Sequence, residues 1–358
     1  MSAVDPIDLA LLVSLLDFEP LARPAMDPDV YDYVAGGSWD ELSLAENVAA
    51  WRRRTLRPRV LVDVARVTTA TTMLGVPSAM PLAIAPVAAH GDVHPDGELA
   101  TARAAAAAGV PFNLSTFSTR SIEEVADATP DATRWFQLYV QTDPRRTRDL
   151  VERAEAAGFG AIVLTVDLPV VGYRERDRRN AYDLRGPAGS PLDLPDESGV
   201  TPPLADPPPP SLTWADLATI RSWAPGLPLV LKGIMTADDA RIAADHGVDA
   251  IVVSNHGARQ LDRVAASVDV LEEVVDAVGG RSEIWVDGGV RRGLDVAIAL
   301  ALGARGVLLG RPAMWALAVA GQAGVERSLA ILREELELAM ALLGAPSPGE
   351  ITRAHVGP

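Results

Sequence analysis

The stretch LPLVLKGIMTADDARIAADHGVDAIVVSNHG, running from Leu227 to Gly257, contains one complete strand–helix–strand repeat. Leu227 to Leu231 is a short apolar run of strand length, and Ala250 to Ser254 is a second, rich in β-branched residues. Between them Ala237 to His246 has helical composition and stops at Gly247, as a helix does when a glycine takes the left-handed turn at its end. A strand, an amphipathic helix and another strand in succession predict a parallel βαβ unit.

The same alternation extends outward from about Met80 to Met314. Further strands are predicted at Leu82 to Pro86, Pro111 to Ser115, Trp135 to Val140, Ala161 to Val166, Ile284 to Asp287 and Gly306 to Gly310, and a helix at Gly97 to Ala108 that stops at Gly109. Eight such strands predict an α/β fold, a single closed (β/α)8 barrel of the TIM type. The expected organisation is one domain over residues 1–358, with 1–75 as an N-terminal helical cap and 80–345 as the barrel. Helices are expected in the cap at Pro6 to Leu16 and Trp39 to Arg53. An irregular insert from about Asp177 to Ser211, after the fourth strand, contains Pro202-Pro203 and Pro207 to Pro210; a connection this long is expected to be a lid.

Composition narrows the function. With 358 residues, 48% of them hydrophobic, the chain can bury one large core. Its apolar runs, such as Val296 to Leu302 and Ala313 to Ala320, fall short of the roughly 20 residues of a membrane span. Asp5 and Asp8 stand where a signal peptide is basic, so a cytoplasmic protein is expected. A formal charge of -16 disfavours nucleic acid and anionic membrane as partners, and the absence of cysteine excludes disulfides and thiolate chemistry. Of the 32 basic residues only Lys232 is a lysine.

Active sites of such barrels lie at the C-terminal ends of the strands. The polar residues predicted there are Ser115, Gln137, Tyr139, Thr165, Asp167, Lys232, Ser254, His256, Asp287 and Arg311. The last two strands end in Asp287-Gly288-Gly289-Val290-Arg291-Arg292-Gly293 and Gly310-Arg311-Pro312. Glycines that let backbone N–H groups approach an anion, each with an arginine beside them, predict a phosphate site. The dinucleotide and P-loop fingerprints are missing, so the phosphate is expected on a cofactor in the barrel mouth. His90, His94, His246 and His355 have no metal-ligand spacing, and no metal is expected.

Tyr31-Asp32-Tyr33, Ala85-Pro86-Val87-Ala88, Gln137-Leu138-Tyr139, Thr165-Val166-Asp167, Leu231-Lys232-Gly233, Ser254 to Asp262 and Asp287 to Gly293 together resemble the FMN-dependent 2-hydroxy acid oxidases and dehydrogenases. This family includes glycolate oxidase, lactate oxidase and mandelate dehydrogenase, and the match runs from about Tyr31 to His355. The resemblance implies FMN as cofactor, with Ala88, Ser115, Gln137, Thr165 and Lys232 at the flavin ring, Gly289, Arg291, Gly310 and Arg311 at the ribityl phosphate, and Ser254 and Asp287 also in the cofactor site. Lys232 would stand at the ring edge that becomes anionic on reduction, a task for a compact ammonium. It further implies His256 as base, Asp167 orienting it, and Tyr139 hydrogen-bonded to the substrate hydroxyl. Arg174, Arg259 and Tyr33 would hold the substrate carboxylate and Phe117 would wall the side-chain pocket.

Several positions modulate this. Phe117 stands where glycolate oxidase has tryptophan and lactate oxidase tyrosine, and the stretch from Ala85 to Gly91 is nearest to lactate oxidase. Ala88 matches family oxidases, where lactate monooxygenase and mandelate dehydrogenase have glycine. The expectation is oxidation of an L-2-hydroxy acid to the 2-oxo acid with O₂ reduced to H₂O₂, by a homo-oligomer, a tetramer as is common in the family. A dehydrogenase or monooxygenase outcome is the alternative. A non-redox FMN barrel, such as type 2 isopentenyl diphosphate isomerase, would keep the phosphate site without needing Tyr33, Arg174, His256 and Arg259.

Overall fold

The computed structural model describes residues 7–182 and 211–357. Eight parallel strands close into a barrel in chain order: β1 (Leu82–Ile84), β2 (Phe112–Ser115), β3 (Arg134–Leu138), β4 (Ile162–Thr165), β5 (Leu229–Ile234), β6 (Ala250–Val253), β7 (Glu283–Val286) and β8 (Gly306–Leu309). All eight predicted strands are present, with ends displaced by up to three residues. The opening repeat is also present: its helix spans Ala237–Asp245, capped at its start by the Thr236 hydroxyl, and Gly247 follows at φ +68°.

Alternation along the strands sorts the apolar residues into two cores, because successive side chains of a strand point to opposite faces. Ala83, Trp135, Ala161, Val163, Val230, Val252, Trp285 and Leu308 pack inside the barrel, closed at the bottom by Met73 from the hairpin of Thr71–Met73 and Val76–Ser78. Leu82, Ile84, Leu114, Phe136 and Leu138 face outward into the larger core shared with the helices. Within the barrel Trp135 and Trp285 stack with ring centroids 4.7 Å apart and planes 4° from parallel. Trp285→Ala is therefore expected to lower folding stability by about 3–5 kcal/mol, read from the urea unfolding midpoint, since the neighbours of a barrel interior cannot collapse into the space. A loss below about 1 kcal/mol would contradict this packing.

Three helices precede the barrel, Phe18–Ala25, Pro28–Ala35 and Leu42–Arg53. The helix expected at Pro6 to Leu16 is not formed: among the described residues there are two short 3-10 turns, Leu9–Leu11 and Leu15–Asp17. Side chains compete with helical hydrogen bonds here. Asp8 accepts from the Ala10 N–H, and Ser14 and Asp17 cap each other's backbone, so the regular helix starts only at Phe18. The helix expected from Trp39 begins at Leu42, because Trp39 and Glu41 take left-handed φ values of 49° and 59°.

The insert expected from Asp177 is also revised, since Glu175–Asn180 is a helix; residues 183–210, and with them the lid reading, lie outside the described residues. After β8 a helix runs from Arg311 to Leu343 and breaks at Ala320–Gly321, where the apolar run after Ala313 ends. Among the described residues no helix is long and apolar enough to cross a membrane.

Candidate active site

The turn after β6 leaves regular geometry to place an imidazole. His256, Gly257 and Ala258 follow one another at φ 60°, 62° and 62°, a conformation that costs a non-glycine residue about 1–2 kcal/mol. Asn255 holds it there. Its Oδ1 accepts the Ala258 N–H at 3.0 Å, and its amide is paired in both directions with Asn47 of the helix Leu42–Arg53. That helix is anchored further by the Trp51 indole N–H donating to the Gly288 carbonyl at 2.8 Å.

His256 lies in a polar chain. Its Nδ1 is 2.9 Å from Asp167 Oδ1 and its Nε2 is 3.3 Å from the Tyr139 hydroxyl. Asp167 as acceptor places the proton on Nδ1 and leaves Nε2 with its lone pair toward Tyr139. Burial pushes His256 below the ordinary imidazole pKa, outweighing the opposing Asp167 charge. Burial alone would raise the Asp167 carboxyl, but the His256 charge and hydrogen bond, with Lys232, hold it below the usual carboxylate range. A neutral imidazole beside an ionised carboxylate is the resting state of a general base. Gly233 makes room for it: at φ +113°, on a bulge of β5, a Cβ there would lie 2.6 Å from Asp167 Cβ.

From this geometry Asp167→Asn is expected to shift the acid limb of the kcat/KM profile to lower pH. Removing a carboxylate that raises the imidazole pKa lets that pKa fall, so the base stays deprotonated in more acid solution. The plateau rate should also drop, because the imidazolium formed on proton uptake loses its partner. A limb moving to higher pH would contradict the arrangement.

Beside the dyad, Lys232 gives one proton to Ser254 Oγ at 3.0 Å and pairs with Asp287 Oδ2 at 3.1 Å. Burial opposes its charge, but Asp287 and Asp167 overcome this and raise its pKa, so it is an ammonium with a third N–H to spare. Gln137 links the next strands, accepting from Ser115 Oγ at 3.2 Å and donating to Thr165 Oγ1 at 3.0 Å. Phe117 packs on Tyr139 with centroids 5.2 Å apart.

A cleft of about 800 Å³ opens on this group, lined among others by Ala88, Lys232, His256, Gly289, Arg291 and Gly310. Arg259 and Arg311 line it too. Burial first, then Arg259 and Arg291, push Arg311 down to about 9, while Arg174 falls to about 10 through burial and Arg259. Guanidinium groups gathered in one low-dielectric wall call for an anion beside them. A left-over donor agrees: Arg259 Nη2 is buried with no hydrogen-bond partner. Gly289, at φ +83°, lies so close to the cap that a Cβ would fall 1.8 Å from the Asn47 carbonyl oxygen. An anionic, phosphate-bearing cofactor with a polar ring edge for the Lys232 ammonium fits these residues.

The predicted residues thus converge on one mouth, with two refinements. Arg311 also donates to the Val34, Gly36 and Gly257 carbonyls, tying the N-terminal segment to the β6 turn at the cleft wall. Arg174 and Arg259 meet through backbone as well, Arg174 Nε donating to the Arg259 carbonyl at 3.1 Å. Tyr33 lies 4.5 Å from the Arg259 guanidinium carbon, ring centroid to carbon. Gln260, to which the sequence assigned no role, is a hub: its amide donates to the Asp167 and Val170 carbonyls, and its Oε1 accepts from the Gly172 N–H and Arg174. Its place next to Arg259 was the available signal. Asn47 had none, being 208 residues from its partner.

Comparison with known proteins agrees with this site. The model of the FMN-dependent dehydrogenase family matches residues 22–358. The chain is 50% identical to an L-lactate oxidase of Nostoc sp. over 347 residues, covering 93% of this chain and 94% of that one. It is 47% identical to glycolate oxidase 3 of Oryza sativa subsp. indica, with 97% of each chain covered. Among solved structures, mandelate oxidase superposes with a TM-score of 0.87 at 44% identity, over 97% of this chain and 98% of that one. A mandelate oxidase structure with benzoyl-formic acid gives the same TM-score at 45% identity. A family match over most of the chain, on a closed barrel whose strand ends gather an imidazole–carboxylate pair, a buried ammonium and several guanidinium groups, makes this chain a member of the FMN-dependent dehydrogenase family.

Proposed function

We propose that the chain oxidises an L-2-hydroxy acid to the 2-oxo acid and reduces O₂ to H₂O₂. The observation that carries the proposal is His256 held between Asp167 and Tyr139 on a cleft that Arg259 lines, with Arg174 bonded to the Arg259 carbonyl behind it. Lactate, glycolate and mandelate oxidases among the similar proteins support the substrate class and acceptor. FMN, when bound, takes up the two electrons of the oxidation and passes them to O₂.

The protein's own part is binding and proton handling. Arg174 and Arg259 hold the carboxylate by charge-assisted hydrogen bonds, and the Tyr33 hydroxyl adds a third contact. Tyr139, whose pKa is raised by burial and the Asp167 charge, stays protonated and donates to the substrate oxygen. His256 Nε2 receives a substrate proton while Asp167 steadies the imidazolium. Ala88, Ser115, Gln137, Thr165, Ser254 and Lys232 would hold the flavin ring, where the Lys232 ammonium would favour added negative charge. Asp287 holds Lys232, while Gly289, Arg291, Gly310 and Arg311 would take the ribityl phosphate and Phe117 would border the substrate side chain. The N-terminal helices belong to the same domain in this reading, supported by the Asn47 and Trp51 bonds to the barrel turns.

Anaerobic flavin bleaching across glycolate, lactate, longer aliphatic and aromatic 2-hydroxy acids, followed by admission of air, tests the proposal. Bleaching by an L-hydroxy acid and peroxide formed in step with the 2-oxo acid is the expected result. Reduced flavin that persists in air would overturn the oxidase outcome in favour of a dehydrogenase. The proposal includes a homo-oligomer, a tetramer, supported by the exposed Val60 and Leu61 beside the helix end bearing exposed Leu338 and Leu342; light scattering of the holoenzyme checks it.

A further inference from the structure

Tyr182 and Asp92 form a hydrogen-bonded pair that none of the roles above uses. Asp92 lies on the helical turn His90–Val93 that follows the β1 loop of Val87 and Ala88, and Tyr182 comes two residues after the helix Glu175–Asn180. Ala181 turns the chain at φ 49°, and the Tyr182 N–H returns to the Asp177 carbonyl at 2.9 Å. The Tyr182 hydroxyl then donates to Asp92 Oδ2 at 2.7 Å, joining the loops after β1 and β4 across the mouth.

The ring between those two ends lies on Tyr33. Tyr182 and Tyr33 stack with centroids 4.7 Å apart and planes 25° from parallel. Tyr33 itself is buried, yet among the described residues its hydroxyl donates to no protein acceptor. No hydrogen bond of its own sets its aim, and on the cleft side its ring meets Tyr182, and Arg259 at 4.5 Å. Stacking by itself leaves a neighbouring ring free to slide, and a phenylalanine would stack equally well. What fixes Tyr182 is its short bond to a carboxylate. Asp92 has no cation within ion-pair distance among the described residues. Burial pushes its carboxyl above the usual range, against the pull of the Tyr182 hydrogen bond.

We infer that Tyr182 and Asp92 are positioning residues for the substrate carboxylate, locking the Tyr33 ring so that its hydroxyl and the Arg259 guanidinium are aimed together before substrate arrives. The inference takes Tyr33 and Arg259 as carboxylate ligands, as proposed above. An aimed donor lowers the ordering cost of binding, so the pair acts on affinity and leaves the proton transfer at His256 unchanged.

The test uses the FMN-loaded enzyme, with the Kd for oxalate read from the perturbed visible flavin band and KM and kcat from turnover. Tyr182→Phe and Asp92→Leu are each expected to raise both the oxalate Kd and KM by about five- to tenfold, with kcat within about twofold of the parent. Asp92→Asn, whose amide oxygen still accepts the hydroxyl, should restore near-parental values, and Tyr182→Phe with Asp92→Leu should be no worse than either alone. An unchanged oxalate Kd in Tyr182→Phe, additive singles, or Asp92→Asn as impaired as Asp92→Leu would each overturn the inference. Arg259→Met separates the two levels: if it leaves oxalate binding unchanged, the carboxylate assignment fails; if it weakens binding while Tyr182→Phe does not, only the positioning role fails.

Discussion

Replacing His256 with alanine is expected to leave the flavin spectrum intact and to slow flavin reduction by the hydroxy acid by about 10³- to 10⁴-fold. Among the described residues the imidazole's hydrogen-bond partners are Asp167 and Tyr139. Its loss therefore removes the proton acceptor while Lys232, Ser254 and Asp287 keep their own bonds. Stopped-flow mixing without oxygen separates this from a fault in reoxidation. Reduction at the parental rate would end the assignment of His256 as base. An added imidazole that restored part of the rate would place the missing group at that site.

The second large effect is expected from Arg259→Met, a fall of about 10²- to 10³-fold in kcat/KM carried mostly by KM. Truncating one partner of a buried charge pair costs about 2–5 kcal/mol, and Arg259 brings a buried, unpartnered Nη2 to the cleft. The same side chain also donates from Nη1 to the Tyr33 and Gly36 carbonyls, so the variant needs a check that the fold is kept. Circular dichroism and flavin occupancy supply it. Arg259→Lys should recover only part of the loss, because an ammonium keeps the charge and gives up the planar fork. A kcat/KM within about threefold of the parent, in a folded flavin-loaded variant, would contradict a carboxylate role.

Both effects depend on residues that were legible from their neighbours in the chain. Ser254 to Gln260 follows a strand, and a histidine and an arginine at the C-terminal end of a barrel strand announce a site before any coordinates exist. Lys232 stood out as the single lysine, and its burial with Asp287 and Ser254 gives that isolation a physical reason. The eight strands were legible for the same cause: alternation with alanine-rich helices is a local property, written by backbone sterics and hydrophobic periodicity. Local competition is where the reading failed. Asp8, Ser14 and Asp17 bond to nearby backbone and replace the helix expected at Pro6 to Leu16.

Other features needed the closed barrel. Asn47 meets Asn255, Trp51 meets Gly288, and Asp92 meets Tyr182, each across a sequence gap that carries no periodic signal. The left-handed turn at His256 and the bulge at Gly233 are likewise outcomes of strand closure, since only then does Asp167 come within 2.9 Å of the imidazole. The sequence by itself determined the class of fold and put a histidine, an arginine and glycine-rich turns at the ends of its last strands. Tertiary structure alone decided which nitrogen of His256 meets Asp167, which nitrogen of Arg259 has no partner, and which tyrosine stacks on Tyr33. Propensity acts over one turn of chain, whereas charge, burial and hydrogen bonding act over a few ångströms of space.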